Sequence, residues 1–306
     1  TMKKHKICKI LLVILAIFLC VAFYELLGIC VAYKKQPEVS NTTKKETKNG
    51  SWNECSENTE RAVIIEKNPE ALLQRVRLIK NAKKEIILST FAFQSDESGK
   101  LILGALHDAA DRGVHIRLLV DGMESWIDME GNPYFYGLSS HENVEIKLYN
   151  KANPLKPWKM MGRMHDKYLI ADGKRYILGG RNTYNYFLGD FPGHKNYDRD
   201  VLVVCDEPEK ENSVNQLSEY FEMIWEQEDS GYFHDNKKLA NRKSVKNAVL
   251  ELQNSYQKYF EENKERICDT DYTDETFETE KIALVSNPIH TGSKEPVVWY
   301  QLGELM

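Results

Sequence analysis

The feature that most constrains the fold is a long apolar segment near the N-terminus, from Ile10 to Tyr33, in which Glu25 is the only charged residue. At about 1.5 Å per residue, a helix of this length crosses the roughly 30 Å of hydrocarbon in a bilayer. Only a helix or a closed barrel satisfies its backbone polar groups in lipid. A cleaved signal peptide is the alternative, but the apolar run is longer than usual for one and no small-residue cleavage site follows. The segment therefore predicts one uncleaved transmembrane anchor over residues 10–33.

The segments that flank this anchor are polar. Residues 1–9 form a basic tail, and residues 34–58 are rich in Lys, Thr, Asn, Glu and Ser, a composition typical of a flexible linker. Lysines lie on both sides of the span, so counting positive charges leaves its orientation open. The short basic tail favours a cytoplasmic N-terminus. We therefore expect a single-pass protein of the cell membrane whose catalytic domain lies on the exported side.

The charge balance beyond the anchor excludes some classes of partner. Six of the 41 Lys and Arg residues and one of the 46 acidic residues precede residue 36, which leaves 35 basic and 45 acidic residues in the remainder. A general nucleic-acid binder should be basic, so no nucleic-acid partner is expected. The cysteines of this part, Cys55, Cys205 and Cys268, form no C-x-x-C pair and predict no zinc site. Cys205 is expected to be a buried thiol, and a disulfide between Cys55 and Cys268 remains open.

Short apolar runs alternate with helical patterns from residue 60 onward. The predicted strands cover residues 63–65, 85–91, 114–120, 144–148, 168–171, 176–178 and 201–205, and the predicted helices cover 69–82, 100–111, 212–225 and 237–265. Such alternation indicates an α/β layered domain with a largely buried sheet, here placed over residues 59–279. Aromatic and Met residues are expected in loops before residue 163, where they pack in the domain or contact lipid: Tyr134, Phe135, Tyr136, Trp158, Met160 and Met161.

One stretch of this domain carries most of the functional information. His165, Lys167 and Asp172 form an H-x-K-x4-D array. Residues two apart in a strand face the same side, so His165 and Lys167 should project together. An imidazole can attack phosphorus or donate a proton, and an ammonium neutralises the non-bridging oxygens. Asp172 falls at a turn beyond the strand, where we interpret it as a positioning carboxylate.

A second apolar run, Tyr176 to Leu178, should return as a hairpin partner of the first. It would bring Gly179 and Gly180 to the site, where the absence of side chains lets backbone N–H groups approach a phosphate. Asn182 would add an amide donor. A lone histidine in a strand is more often structural, but the combination of all these residues favours an active site.

These residues resemble the phospholipase D superfamily, whose signature is H-x-K-x4-D followed by two small residues and an Asn. The variant Gly179-Gly180-Arg181-Asn182, with Tyr184 and Tyr186 after it, is most similar to bacterial cardiolipin synthases. The resemblance implies a phospholipase D-like layered fold with a mixed sheet, and a phosphohistidine intermediate that forms without metal or cofactor.

The resemblance also implies residue roles. His165 would be the nucleophile or the general acid, Lys167 and Asn182 would hold the phosphate, and Asp172 would support the site. An acidic residue should orient the histidine from its other nitrogen, and Asp200 is the candidate because it opens a buried strand. The alternative for Asp200 is an ordinary charge at the edge of a strand.

Sites of this family are built from two such motifs, whereas this sequence has one. The segment 281–288 repeats the pattern of 61–69, in which a short apolar strand ends in Asn-Pro, and a helix is predicted after Pro296. We therefore expect a second half-domain to begin near residue 280, with residues 280–306 as its truncated start. The alternative is a homodimer in which a partner copy supplies the second motif.

The expected function is that of a membrane-anchored enzyme acting on phospholipid. Phosphatidyl transfer between phosphatidylglycerol molecules, as in cardiolipin synthesis, is the first hypothesis. A hydrolase or nuclease of the same fold is the second hypothesis. An inactive scaffold is the third, if no second motif is supplied.

Overall fold

The computed structural model describes most of the chain in two separate units. The described residues are 2–32, 37–49, 60–205, 212–234, 236–280, 282–287, 289 and 295–305. One unit consists of Thr1–Lys48, Ala152–Arg163 and Ser286–Met306, and the other of Asn49–Lys151 and Met164–Val285.

The first unit contains the predicted anchor. Helix α1 (Met2–Ala32) is long and apolar enough, over His5–Ala32, to cross a membrane. Helix α2 (Asn41–Asn49) lies inside the segment predicted to be a flexible linker. That helix forms because Ser40 caps it, with its Oγ accepting from the Thr43 N–H at 3.1 Å. The remainder of the predicted linker, and Cys55 with it, lies outside the described residues.

The second unit is built on a sheet of nine strands among the described residues. The strands are β1 (Arg61–Ile65), β2 (Glu85–Thr90), β3 (His115–Asp121), β4 (Val144–Tyr149), β5 (Lys167–Ala171), β6 (Arg175–Gly179), β7 (Asp200–Val204), β8 (Ser230–Tyr232) and β9 (Phe277–Glu278). Their order is β8-β4-β3-β2-β5-β6-β7-β1-β9. The β2–β3 and β3–β4 pairs are parallel and the others antiparallel, which confirms the expected mixed sheet.

Helices cover both faces of this sheet. They are α3 (Asn68–Asn81), α4 (Glu97–Asp111), α5 (Gly122–Asp128), α6 (Pro133–Ser139), α7 (Ser213–Trp225), α8 (Lys243–Glu262) and α9 (Lys264–Cys268). The main apolar core lies between one sheet face and α3, α4, α6 and α8. Helix α7 packs on the opposite face, where the Arg117 guanidinium lies 4.9 Å from the Phe221 ring and Lys147 donates to the Trp225 carbonyl.

Most predicted elements agree with the structure to within a few residues, and the differences have physical causes. The long helix predicted over 237–265 is instead a 3-10 turn (Lys237–Asn241) followed by α8 and α9, with breaks at Arg242 and Asn263. The aromatic residues at 134–136 are not in a loop. They lie in α6, which Asn132 caps. Phe135 is fully buried, because burial of large aromatic side chains in the core is favourable.

The C-terminal segment gives a mixed outcome. A helix does form after Pro296, as α10 (Val297–Leu305). The described residues 282–287, however, form no strand. A strand requires a neighbouring strand for its hydrogen bonds, and none of the described residues pairs with this segment. A second half-domain at this position remains a prediction.

Candidate active site

Three of the predicted site residues lie in one row at one end of the sheet. Strands β5, β6 and β7 are neighbours, and Tyr168 pairs with Leu178 while Gly179 pairs with Asp200. Lys167, Gly179 and Asp200 therefore share one face at the same end of adjacent strands. Lys167 and Gly179 lie on the β5–β6 hairpin that the sequence predicted, and Asp200 lies on β7.

Lys167 is a buried cation at this end of the sheet, with 4% of the residue exposed. Its Nζ donates to the carbonyl of His165 at 2.6 Å and lies 5.3 Å from the centre of the Phe91 ring. Burial lowers the pKa of Lys167 to about 8, and the nearby carboxylates of Asp166 and Asp198 oppose that shift. An anion placed beside this ammonium would therefore relieve an unfavourable charge.

His165 is exposed and lies two residues before β5. Its ring meets the edge of Phe91, with ring centres 4.7 Å apart and planes at 65°. The preceding residue is held firmly, because the Met164 N–H donates to the buried Asp121 carboxylate at 3.1 Å. Asp121 also caps α5 through the Met123 N–H. The His165 imidazole is thus exposed to solvent, while the backbone that precedes it is held by Asp121.

Phe91 and Asp121 are supporting residues that sequence reasoning did not identify. Each lies at the carboxyl end of a strand, Phe91 just after β2 and Asp121 at the end of β3. Because β2 and β3 are parallel, their carboxyl ends meet at the edge where antiparallel β5 begins. Neither residue belongs to a motif that the sequence analysis recognised. Only the pairing of the strands brings them close to His165.

The loop after β6 is joined to the loop after β2. The Asn182 side-chain oxygen accepts from the Ala92 N–H at 3.3 Å, and the Thr183 N–H donates to the Ala92 carbonyl at 3.0 Å. Burial is the chief cause that raises the pKa of the nearby Tyr184, and Asn182 acts to lower it. Asn182 is buried and fixed at this edge, in the same part of the fold as Phe91.

Arg181 holds the segment 179–182 through contacts inside the fold. This side chain is fully buried and donates to the Asn68 side-chain oxygen, to the Ile65 carbonyl at 3.2 Å and to the Glu66 carbonyl at 2.7 Å. It also pairs with Asp200 at 3.3 Å. Arg181 therefore ties the segment 179–182 to the connection between β1 and α3.

Asp200 is a buried carboxylate with two different oxygens. Its Oδ2 pairs with Arg75 at 2.9 Å and with Arg181 at 3.3 Å. Its Oδ1 is buried and has no hydrogen-bond partner among the described residues. The sequence did not reveal the two buried arginines, and the histidine-orienting role of Asp200 stays a prediction.

Asp198 is a second acidic residue that the sequence analysis passed over. It is half-buried, and it lies so close to Gly180 that a Cβ atom there would be 2.0 Å from the Asp198 Oδ2. Its charge also reaches Lys167, where it acts to raise the pKa. Similarly, a Cβ atom on Gly179 would be 2.0 Å from the Asp200 Oδ1. Both glycines are therefore required by close packing against carboxylates.

Asp172 lies at the other end of β5 from His165 and Lys167. Its backbone has φ of 56° in the turn between β5 and β6. Its carboxylate accepts from the N–H groups of Lys83 at 2.8 Å, Lys84 at 2.7 Å and Glu85 at 3.1 Å. The structure thus separates Asp172 from the rest of the motif by the full length of the strand.

The arrangement at the His165 end suits a phosphate ester. An accessible imidazole, a buried ammonium, an oriented amide and two glycines are the groups that can attack phosphorus and stabilise its anionic oxygens. Within the part of the chain that the structure describes, no cluster of three or more His, Cys, Asp or Glu side chains is placed to hold a metal ion.

Comparison with known proteins agrees with this chemistry. Residues 75–225 match the family described as "Cardiolipin synthase, PLD-like domain". Over these residues the chain is similar to a phospholipase D-like domain. This similarity agrees with the observed fold, a mixed sheet flanked by helices.

Individual relatives of this chain are distant. An uncharacterized protein of Helicobacter pylori (strain J99) is 30% identical over 212 residues, which are 64% of this chain and 39% of that protein. Cardiolipin synthase C of Escherichia coli (strain K12) is 29% identical over 171 residues, which are 51% of this chain and 34% of that enzyme. This chain thus spans well under half the length of both relatives.

A solved structure has also been compared with this one. NucT from Helicobacter pylori aligns with a TM-score of 0.45 and 18% sequence identity, over 57% of this chain and 99% of that one.

Proposed function

We propose that this protein is a membrane-anchored phosphatidyltransferase that joins phosphatidylglycerol molecules to make cardiolipin. The observation that carries the proposal is the buried Lys167 ammonium beside the accessible His165 at one end of the sheet. A buried lysine without an anionic ligand is unfavourable, and the phosphate of a phosphodiester is an anion of suitable size and geometry. Lys167 and Asn182 hold this phosphate, with the backbone N–H groups of Gly179 and Gly180 as further donors.

The proposed reaction proceeds in two displacements. An imidazole nitrogen attacks phosphorus, the P–O bond to one glycerol breaks, and a second histidine protonates the leaving alkoxide. The hydroxyl of a second phosphatidylglycerol then gives its proton to that histidine and attacks phosphorus, which releases the imidazole. His165 performs one of the two roles.

The second histidine must come from outside the residues of this motif. We infer that a second half-domain, starting near residue 280, supplies it in cis, with a homodimer partner as the other source. The exposure of His165 supports this inference, since a catalytic imidazole normally faces an enclosed pocket. For the carboxylate that orients a histidine we keep Asp200, whose Oδ1 has no hydrogen-bond partner among the described residues, with Asp198, close to Gly180, as the alternative.

The lipid substrate is proposed on two grounds. Helix α1 is suited to keep the domain at a bilayer, and several of the curated relatives are named cardiolipin synthases. We further propose a single span with a cytoplasmic N-terminus, so that the domain acts on the exported leaflet.

The test is a lipid assay with the full-length protein. Wild-type protein in phosphatidylglycerol vesicles should release glycerol and form cardiolipin, both measured by mass spectrometry. His165→Ala should lower the rate by at least about 10²-fold, the usual contribution of a proton-transfer or nucleophilic group. His115→Ala is the matched control, because His115 begins β3 at the opposite end of the sheet.

Three results would contradict parts of the proposal. Equal product from wild type and His165→Ala would remove His165 from the mechanism. Phosphatidic acid in place of cardiolipin would indicate a hydrolase. Cleavage of DNA with no turnover of lipid would indicate a nuclease.

A further inference from the structure

The segment Ala152–Arg163 belongs to the same unit as the anchor helix and contacts it directly. The Tyr24 hydroxyl donates to the Leu155 carbonyl at 2.9 Å. A Cβ atom on Gly28 would lie 2.4 Å from the Cγ of Pro157, so a residue without a side chain is needed there. The segment is therefore packed against one face of α1.

Burial along α1 shows the same face. Ala22, Glu25 and Gly28 are partly covered, at the three-residue spacing of a helix surface. Side chains on the remaining surface are open, for example Phe23 at 67% and Leu26 at 63% exposed. Those apolar side chains suit contact with lipid, whereas the covered face carries the one charged residue of the apolar run.

The contact lies near one end of the predicted span. His5–Ala32 contains 28 residues. Such a helix is about 42 Å long, so about 6 Å at each end, or four residues, extends beyond a hydrocarbon core of about 30 Å. Gly28 is four residues from the end and falls at this boundary, and Tyr24 lies one turn deeper, where aromatic residues are common. Glu25 at this depth also avoids the high cost of a charge at the bilayer centre.

The composition of the segment suits this depth. Residues 152–163 contain Lys156, Lys159 and Arg163 and no acidic residue, although the protein as a whole is acidic. Three large apolar side chains of the segment are exposed: Leu155 at 77%, Trp158 at 46% and Met161 at 47%. Basic residues interspersed with Trp and aliphatic side chains are typical of a surface that binds anionic headgroups and the outer part of the acyl chains.

We propose that residues 152–163 form a membrane-contact loop that binds anionic phospholipid at the bilayer face where α1 ends. Trp158 and Leu155 enter the interface, and Lys156, Lys159 and Arg163 contact the headgroup phosphates. His165 follows this loop by two residues in the sequence. The proposal rests on the membrane location of α1 and does not depend on the chemistry assigned to His165.

The test uses the full-length protein in nanodiscs whose lipids carry bromine on the acyl chains, which quenches nearby tryptophan. Part of the tryptophan emission should be quenched, and Trp158→Phe should remove that quenched part. Trp126→Phe is the matched control, since Trp126 is also exposed but lies in α5. Equal quenching in wild type and Trp158→Phe would overturn the proposal.

A second set of variants tests the headgroup contact. Lys156→Glu, Lys159→Glu and Arg163→Glu together should abolish the stronger quenching in phosphatidylglycerol than in phosphatidylcholine nanodiscs, and high salt should weaken that preference in wild type. The same three-charge reversal at Lys238, Lys243 and Lys246, all exposed in the other unit, should preserve it. A preference that survives the loop triple variant would contradict the assigned headgroup contacts.

Alkaline carbonate extraction separates this proposal from the one on which it rests. Wild-type protein and all variants should remain in the membrane, because α1 anchors them. Release of wild-type protein by carbonate would refute the membrane location itself. Retention together with unquenched Trp158 would refute the loop alone. Activity on lipid plays no part in either result.

Discussion

The two ends of strand β5 carry residues of one sequence motif and have opposite physical character. At the His165 end, Lys167 is buried with a lowered pKa and the imidazole is exposed. At the other end, the Asp172 carboxylate accepts three backbone hydrogen bonds. The first end holds a charge that lacks full compensation, and the second holds one that is well satisfied. Unfavourable charge is typical of functional sites, and satisfied charge is typical of structural ones.

The comparison shows that a contiguous motif can serve two purposes. The H-x-K-x4-D spacing places its first two residues at one edge of the sheet. Because a five-residue strand separates the third, Asp172 instead fastens the β5–β6 turn to the start of β2. Asp172 thus fixes the strand that carries Lys167 at its other end.

The largest difference between the two ends is expected from Lys167→Met. Loss of the ammonium should lower kcat by on the order of 10²- to 10³-fold, as for other groups that stabilise transition-state charge. The same change should raise the melting temperature, because it removes a buried cation. Lys174→Met, at the Asp172 end, is the control and should change neither quantity. A Lys167→Met variant with wild-type kcat would remove Lys167 from the phosphate site.

Asp172→Ala should show the opposite pattern. Three N–H groups would lose their acceptor, and because they are partly open to water the free energy of unfolding should fall by only about 1–2 kcal/mol. The kcat of the folded fraction should stay near that of wild type. Urea unfolding and an assay corrected for folded protein measure these two effects. If kcat fell as far as in Lys167→Met while stability stayed constant, the separation of the two ends would be wrong.

The pH dependence should report Lys167 directly. Phosphate binding requires the protonated form, so kcat/KM should fall about tenfold per unit as pH rises above about 8. Stability should change in the other direction. The folded-state pKa lies below the ordinary value for lysine, so this group destabilises the fold below pH 8 and ceases to do so as pH rises further. Both trends should be absent from Lys167→Met, and persistence of the stability trend there would assign it to another group.

The smallest effect is expected from Asp166→Asn. The Asp166 carboxylate accepts from the Tyr220 hydroxyl at 2.8 Å and raises the pKa of Lys167. Removal of its charge should move the alkaline limb of the kcat/KM profile to lower pH, with less than about a tenfold change at neutral pH. Asp190→Asn, in an exposed loop, should leave the limb in place. A limb that moved to higher pH would contradict the electrostatic role of Asp166.

The sequence predicted the local parts of the site and missed the parts that depend on long-range pairing. The β5–β6 hairpin, Lys167 and the two glycines follow from alternation and turn residues that are close in the chain. Phe91 and Asp121 reach His165 only because β2 and β3 are parallel and end at the edge where β5 begins. The pattern of apolar residues in a short stretch of sequence cannot predict which distant strands will pair.

Asp198 and Asp200 illustrate the same limit at one pair of positions. The sequence analysis chose Asp200 because it opens a buried strand, and it did not consider Asp198. Only the tertiary structure shows that Arg75 and Arg181 pair with one oxygen of Asp200 and that Asp198 lies beside Gly180.

The sequence by itself determined an apolar span, an alternating α/β domain and one H-x-K-x4-D motif, because each of these depends on residue type and local spacing. Tertiary structure decided which residues of the motif meet. Register across β5, β6 and β7 placed Lys167, Gly179 and Asp200 together and moved Asp172 to the far end. Register is set by contacts between strands that lie far apart in the chain, and for that reason local sequence does not contain it.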